Sequence, residues 1–233
     1  MEKVSLKLDW ATHEAAKYAC ENWHYSGCIP AGKTVKVGAW ENSKYIGVVI
    51  FARGASPYLL SKYALKQTEG CELARVALRE HLVPVSRILS LSIKFLKKKN
   101  PGIRLVVSFA DANKGHHGGI YQATNWIYSG ASNEKVEYVD KNGRVWHDRQ
   151  VTKDGLVREF GKLKQCPRVD DCVAIELKGK HRYLMPLDDE MRKQIEPLRK
   201  PYPKRAVSKD NVVSANHAEE GGVNPTTALQ VLE

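Results

Sequence analysis

"VSRILSLSIKFLKKKNPGIRLVVSFAD", residues 85–111, decides the fold. In its first half Ile88, Leu91, Phe95 and Leu96 recur at helical spacing and mark one apolar stripe. Lys97, Lys98 and Lys99 fill the last turn, where the helix dipole favours cations, and Asn100-Pro101-Gly102 stops the helix. The second half, "IRLVVSFAD", is a nearly continuous apolar run and reads as a strand buried on both faces. Ahead of the helix, "CELARVAL" (residues 71–78) reads as another strand. Strand, helix, strand makes a right-handed crossover unit, and ligands bind such units at the C-terminal edges of the strands.

Outward from this unit the pattern continues. On the N-terminal side "VSLKL" (4–8) alternates as a strand, and "ATHEAAKYACENW" (11–23) is helical with Thr12 as its cap. "TVKVGAWE" (34–41) and "KYIGVVIFARG" (44–54) form a hairpin across Asn42-Ser43. On the C-terminal side come a short helix in "GGIYQATNW" (118–126), a strand in "WIYSGAS" (126–132), and a hairpin about Asn142-Gly143. "KGKHRYLMPLD" (178–188) supplies a last strand and "DDEMRKQI" (188–195) a terminal helix. The expected fold class is α/β, with one mixed central sheet in residues 1–198 and a polar C-terminal tail over 199–233.

The 233 residues carry 37 Lys+Arg against 26 Asp+Glu, a net charge of +11. Such a chain is drawn to polyanions, of which nucleic acid is the commonest. Arg, Lys and aromatics interleave in "LVREFGKLK", "LKGKHR" and "LRKPYPKR", which suits phosphate contact with stacking. Tyr58, Trp126 and Tyr128 are candidate stacking partners for a base, although Trp126 also reads as core. Five cysteines without paired spacing read as reduced thiols. No signal peptide and no run long enough to span a membrane is seen, so a cytoplasmic location and no membrane partner are expected.

The densest chemistry lies in "FADANKGHHGGIYQATNWIYSG" (109–130), where Asp111 at a strand end precedes His116, His117 and Tyr121. Carboxylate, imidazole and phenol together suit non-haem iron, while an Asp at such a place can equally cap the following turn. Gly118 and Gly119 allow backbone to approach a ligand, or answer a turn's need for positive φ. Arg75, inside an apolar strand, requires a partner. Ser86 reads as a helix cap that could also face a phosphate.

The order of elements resembles that of the GCN5-related N-acetyltransferases, in which the loop before the long helix holds the pyrophosphate of acetyl-CoA. Here that loop reads "REHLVPVSRIL", with Pro84 and Val85 where glycines belong. A narrower resemblance, carried by "NWHYSGCIPAGK", "CELARVAL", "PVSRIL" and "VVSFADANKGHHGGIYQATNWIYSG", is to the Mom proteins of phage Mu and its relatives. It implies a transferase that adds a carbamoylmethyl group to the exocyclic amine of adenine in double-stranded DNA, hiding restriction sites inside a bacterial host; such an enzyme must reach the amine outside a stacked duplex or flip the adenine out. It implies iron held by His24, Tyr25, Asp111 and Tyr121. Asp111, Tyr121, Arg75 and Ser86 would be catalytic, with Arg75, Ser86 and Arg87 toward a cofactor, acetyl-CoA or another small donor. The alternatives are an ordinary acetyl-CoA-dependent N-acetyltransferase, a metal-dependent nuclease and a nucleic-acid-binding protein.

Overall fold

The computed structural model describes residues 4–54, 56–159 and 161–204. Seven strands form the main sheet: β1 (Leu6–Trp10), β2 (Thr34–Glu41), β3 (Lys44–Ala52), β4 (Gly70–Leu78), β5 (Leu105–Ala110), β6 (Ile127–Ala131) and β12 (His181–Pro186). Their order is β1-β2-β3-β4-β5-β12-β6. Only β4 and β5 run parallel, joined by the helix α2 (Val85–Lys99); every other neighbour is antiparallel. This is the mixed α/β sheet expected, and α2 ends where Asn100 follows three lysines.

Strand alternation gives the sheet two apolar faces. Val49, Phe51 and Val106 turn toward α2, while Val48 and Ile50 turn toward helix α1 (His13–Trp23), whose Thr12 side chain accepts from Ala15 N as an N-cap. The face of α2 that is buried differs from the expected stripe. Ile88, Leu89, Ser92, Ile93 and Leu96 go inside, whereas Leu91 stays half-exposed and Phe95 packs at the rim against Trp10. Ser92 enters the core because its hydroxyl donates back to Ile88 O at 2.8 Å, so no polar group is left unpaired. Helix α4 (Asp189–Ile195) covers Leu105, Val107 and Leu184 with Met191 and Ile195.

Between β6 and β12 the chain makes an insertion. It holds a three-stranded sheet, order β11-β7-β8, of β7 (Lys135–Asp140), β8 (Val145–His147) and β11 (Cys172–Leu177). A two-stranded ribbon accompanies it, β9 (Leu156–Glu159) paired with β10 (Lys162–Gln165). The ribbon carries the basic stretch "LVREFGKLK".

The chain through Pro203 is one compact unit. Lys200 N donates to Tyr128 O and the Tyr202 hydroxyl to Trp126 O, so residues 199–203, expected in the tail, lie against β6. The rest of the expected tail, from 205 on, lies outside the described residues. Among the described residues no helix is long and apolar enough to cross a membrane.

Candidate active site

The crossover unit opens on one side. β4 and β5 are paired only from Gly70–Leu105 to Leu73–Ser108. A bulge at Ala74 then shifts β4 against β3, and β4 runs on to Leu78 without β5. Bulges re-aim side chains, and this one puts Arg75 at the opening. The Arg75 guanidinium is held by carbonyls: Nη1 donates to Ala74 O at 2.8 Å and Nε to Cys28 O at 3.4 Å.

Across the opening stands a chain of hydroxyls. Ser108, a fully buried polar residue, donates to Leu73 O at 2.9 Å and lies 2.8 Å from the Tyr121 hydroxyl. A serine has one proton, and a carbonyl can only accept it, so the Tyr121 hydroxyl must donate to Ser108. Tyr121 comes from the short helix α3 (Gly119–Gln122), and its ring packs 5.0 Å from Trp126 and 4.9 Å from Tyr183. Burial pushes its phenol up to about 12, with a smaller opposing pull from Ser108. The turn before α3 is fixed by Gly118 at φ +83°, since the Tyr183 ring lies where a Cβ would be. Tyr183 donates its hydroxyl to His117 O. Trp126 and Tyr128 are buried in this aromatic cluster, which removes them as stacking partners for a base; Tyr58 remains exposed.

The segment after α1 supplies the other wall. The Tyr25 ring lies 4.3 Å from His24 and 5.0 Å from His116, giving three tilted rings in a row. Burial, then the nearby charges of Arg75 and His116, pull His24 down to about 4, so the ring is neutral near pH 7. Its Nδ1 accepts from Ser26 N at 3.1 Å, which leaves the ring proton on Nε2.

Asp111 does something else. Its carboxylate accepts from Asn113 N at 3.1 Å and Asn113 Nδ2 at 3.2 Å, and pairs with Lys180 Nζ at 3.1 Å. Asn113 in turn donates to Lys178 O and accepts from Lys178 N. Asp111 and Asn113 therefore clamp the loop after β5 to the root of the insertion. Burial raises its pKa, but Lys180 and Asn113 together outweigh that, and the carboxyl sits below its ordinary value.

The four residues expected around iron do not form one open donor set in this fold. Asp111 is committed to Lys180 and Asn113, Tyr121 is a protonated donor, and the lone pair of His24 is engaged by Ser26. Among the described residues no three His, Cys, Asp or Glu side chains converge as a metal site. His24 and Tyr25 do meet, with His116 as third member, and His116 sits closer to them than the sequence suggested.

The expected pyrophosphate loop is also filled. Glu41, at the end of β2, accepts from Leu82 N at 3.0 Å and Val83 N at 2.8 Å, and Pro84 has no N–H to offer. Ser86 lies inside the first turn of α2 rather than capping it; the cap position is Pro84, and no side chain caps the helix. Arg87 is exposed. Sequence reasoning missed Ser108, Lys180 and Glu41. Only Ser108 left a local signal, a hydroxyl inside the apolar run "VVSFA".

The profile of the Mom protein family matches residues 5–204. The chain is 24% identical over 206 residues to "Methylcarbamoylase mom" of Escherichia phage Mu, covering 85% of this chain and 84% of that one. Among solved structures, a putative phosphinothricin N-acetyltransferase overlaps 79% of the chain and 100% of its own, at 13% identity and a TM-score of 0.43. A Bacillus subtilis acetyltransferase in complex with CoA overlaps 80% and 100%, at 13% identity and a TM-score of 0.40.

Proposed function

The chain belongs to the Mom protein family, and we propose that it is a transferase that adds a carbamoylmethyl group to the exocyclic amine of adenine in DNA, protecting that DNA from restriction. The observation that carries this reading is the family match over residues 5–204, within which all the residues of the opening fall. The geometry is compatible with it. An exocyclic amine inside a duplex is out of reach, so the base has to leave the stack. The row of His24, Tyr25 and His116 offers such a base aromatic surface beside the opening.

In this reading Tyr25, which is 56% exposed, stacks on the base, and Arg75 turns its guanidinium toward whatever enters between β4 and β5. The Tyr121 and Ser108 hydroxyls bound the inner end. Tyr121 stays neutral there and acts as a fixed hydrogen-bond donor rather than as a base, because burial opposes its ionisation. The exposed ribbon β9–β10 and the stretch 199–204 supply cations for backbone phosphates, a sequence-independent contact weakened by salt. Neither the iron nor the acetyl-CoA implied by the family resemblance meets an open set of partners in this fold.

The test is mass spectrometry of nucleosides from the DNA of cells expressing the chain. A modified adenine heavier by an acetamide unit, with resistance to enzymes that cut at adenine-containing sites, is the expected result. Unmodified adenine throughout, in a culture with abundant soluble protein, would overturn the reading.

A further inference from the structure

The C-terminal end of α2 leaves part of the sheet uncovered. Leu96 is the last buried residue of the helix, and the chain then turns through 100–103 into β5. The start of β2, the end of β3 and the start of β4 lie there. Val35, Phe51 and Cys71 face Leu96 and Ile103 across a cleft of about 210 Å³. Strand alternation puts them there, because Val35 shares a side with Val37, Phe51 with Val49 and Cys71 with Leu73. The outer wall is fixed: Lys97 Nζ donates to Pro101 O at 2.8 Å and to Ile103 O at 2.7 Å. Burial pushes the Cys71 thiol up to about 12, so it stays neutral and the lining is apolar throughout.

The mouth of the cleft carries two cations. Thr34 pairs with Ala52, so Lys33 and Arg53 follow one step on, on the side of Val35 and Phe51. Both line the cleft and both are exposed, and among the described residues no acid lines it with them. Glu72, next to Cys71, alternates to the other face, toward Gly54. Neither Lys33 nor Arg53 takes part in an ion pair among the described residues. Like charges side by side on neighbouring strands repel, and an anion between them replaces that repulsion with attraction.

We propose that this cleft binds a small carboxylate with an aromatic body, the ring against Phe51 and Leu96 and the carboxylate between Lys33 and Arg53. Size sets the body. A cavity of about 150 Å³ admits one benzene ring, so the 210 Å³ here holds a ring with a short linker. Charge sets the head group. The Arg53 fork and the Lys33 ammonium match the two oxygens of a carboxylate. An apolar wall with a few polar groups at its edge is the usual make-up of a small-molecule site. The opening between β4 and β5 begins beyond Leu73, whereas the cleft lies at the start of β4. The two are separate, and the cleft does not rest on the DNA-modification reading.

The experiment is a titration of the full chain with phenylacetate, followed by two-dimensional amide NMR. Saturable shifts are expected at Thr34, Ala52 and Leu96, with Tyr25 and His116 unmoved. The neutral isostere phenylacetamide should bind roughly tenfold more weakly, and so should phenylacetate to Arg53→Gln. Val35→Phe fills the cleft and should abolish saturation without lowering the melting temperature. Should Val35→Phe fail to fold, Arg53→Gln changes one exposed side chain and keeps the test readable. Absence of saturable shifts, or shifts centred elsewhere, would overturn the proposal. Equal binding of acid and amide, or wild-type affinity in Arg53→Gln, would do the same.

Discussion

Replacing Asp111 by Ala should destabilise the protein, although Asp111 stands at the mouth of the opening. Three interactions disappear. The turn loses the acceptor for Asn113 N, worth about 1 kcal/mol by analogy with a helix N-cap. The bond from Asn113 Nδ2 contributes about 0.5 kcal/mol, because that amide keeps Lys178 O. The Lys180 pair adds about 0.5 kcal/mol, since Lys180 is 47% exposed and water screens the pair. The sum is about 2 kcal/mol, or a fall in melting temperature of about 4–8 °C for a domain of this size. Differential scanning calorimetry at neutral pH measures it, and a cycle with Lys180→Ala isolates the ion pair. The folded carboxyl titrates below 3.8, so its charge contribution is full above that value and fades as the pH falls through the lower folded value. The gap between wild type and variant should therefore narrow in acid. If Asp111→Ala melts within a degree or so of wild type, the clamp is not what holds this loop.

Tyr121→Phe removes the donor to Ser108 while the rings stay packed. It should cost about 1 kcal/mol of stability, and calorimetry checks it. Gly118→Ala places a Cβ 2.3 Å from the Tyr183 ring at a positive φ, which should destabilise by about 3 kcal/mol, visible in a urea melt. Removal of residues 210–233, which hold few large apolar side chains, should leave the melting temperature and the modification intact, as circular dichroism and restriction resistance would show.

The elements legible in the sequence were those specified locally. Thr12 caps α1 three residues from its partner amide, Asn42-Ser43 turns the β2–β3 hairpin, and Asn100 ends α2, all within one turn of chain. The inward face of α2 was less legible: Leu91 and Phe95 of the expected stripe lie at its edge, while Ser92 goes inside through its bond to Ile88 O. The site depended on distant partners. Asp111 meets Lys180 across 69 positions, and Glu41 meets Val83 across 42, which no spacing rule anticipates. Tyr25 and His116 are brought together only by the sheet. The insertion was half legible: Asn142-Gly143 marked the β7–β8 turn, while the β9–β10 ribbon lay hidden in charged sequence and the short apolar run of β11 carried no turn signal to mark it.

Glu41 turns the start of α2 into a contest between ligands. Its carboxylate is tethered beside the amides of Leu82 and Val83, so it faces them at an effective concentration on the order of millimolar or more. Any free anion seeking the same two amides must displace it, and its apparent affinity is divided by the strength of that internal rival. A dilute solute would lose such a contest, whereas one already anchored elsewhere on the protein competes on equal terms. Occupancy of this loop is therefore governed less by the amides than by what else holds the incoming molecule.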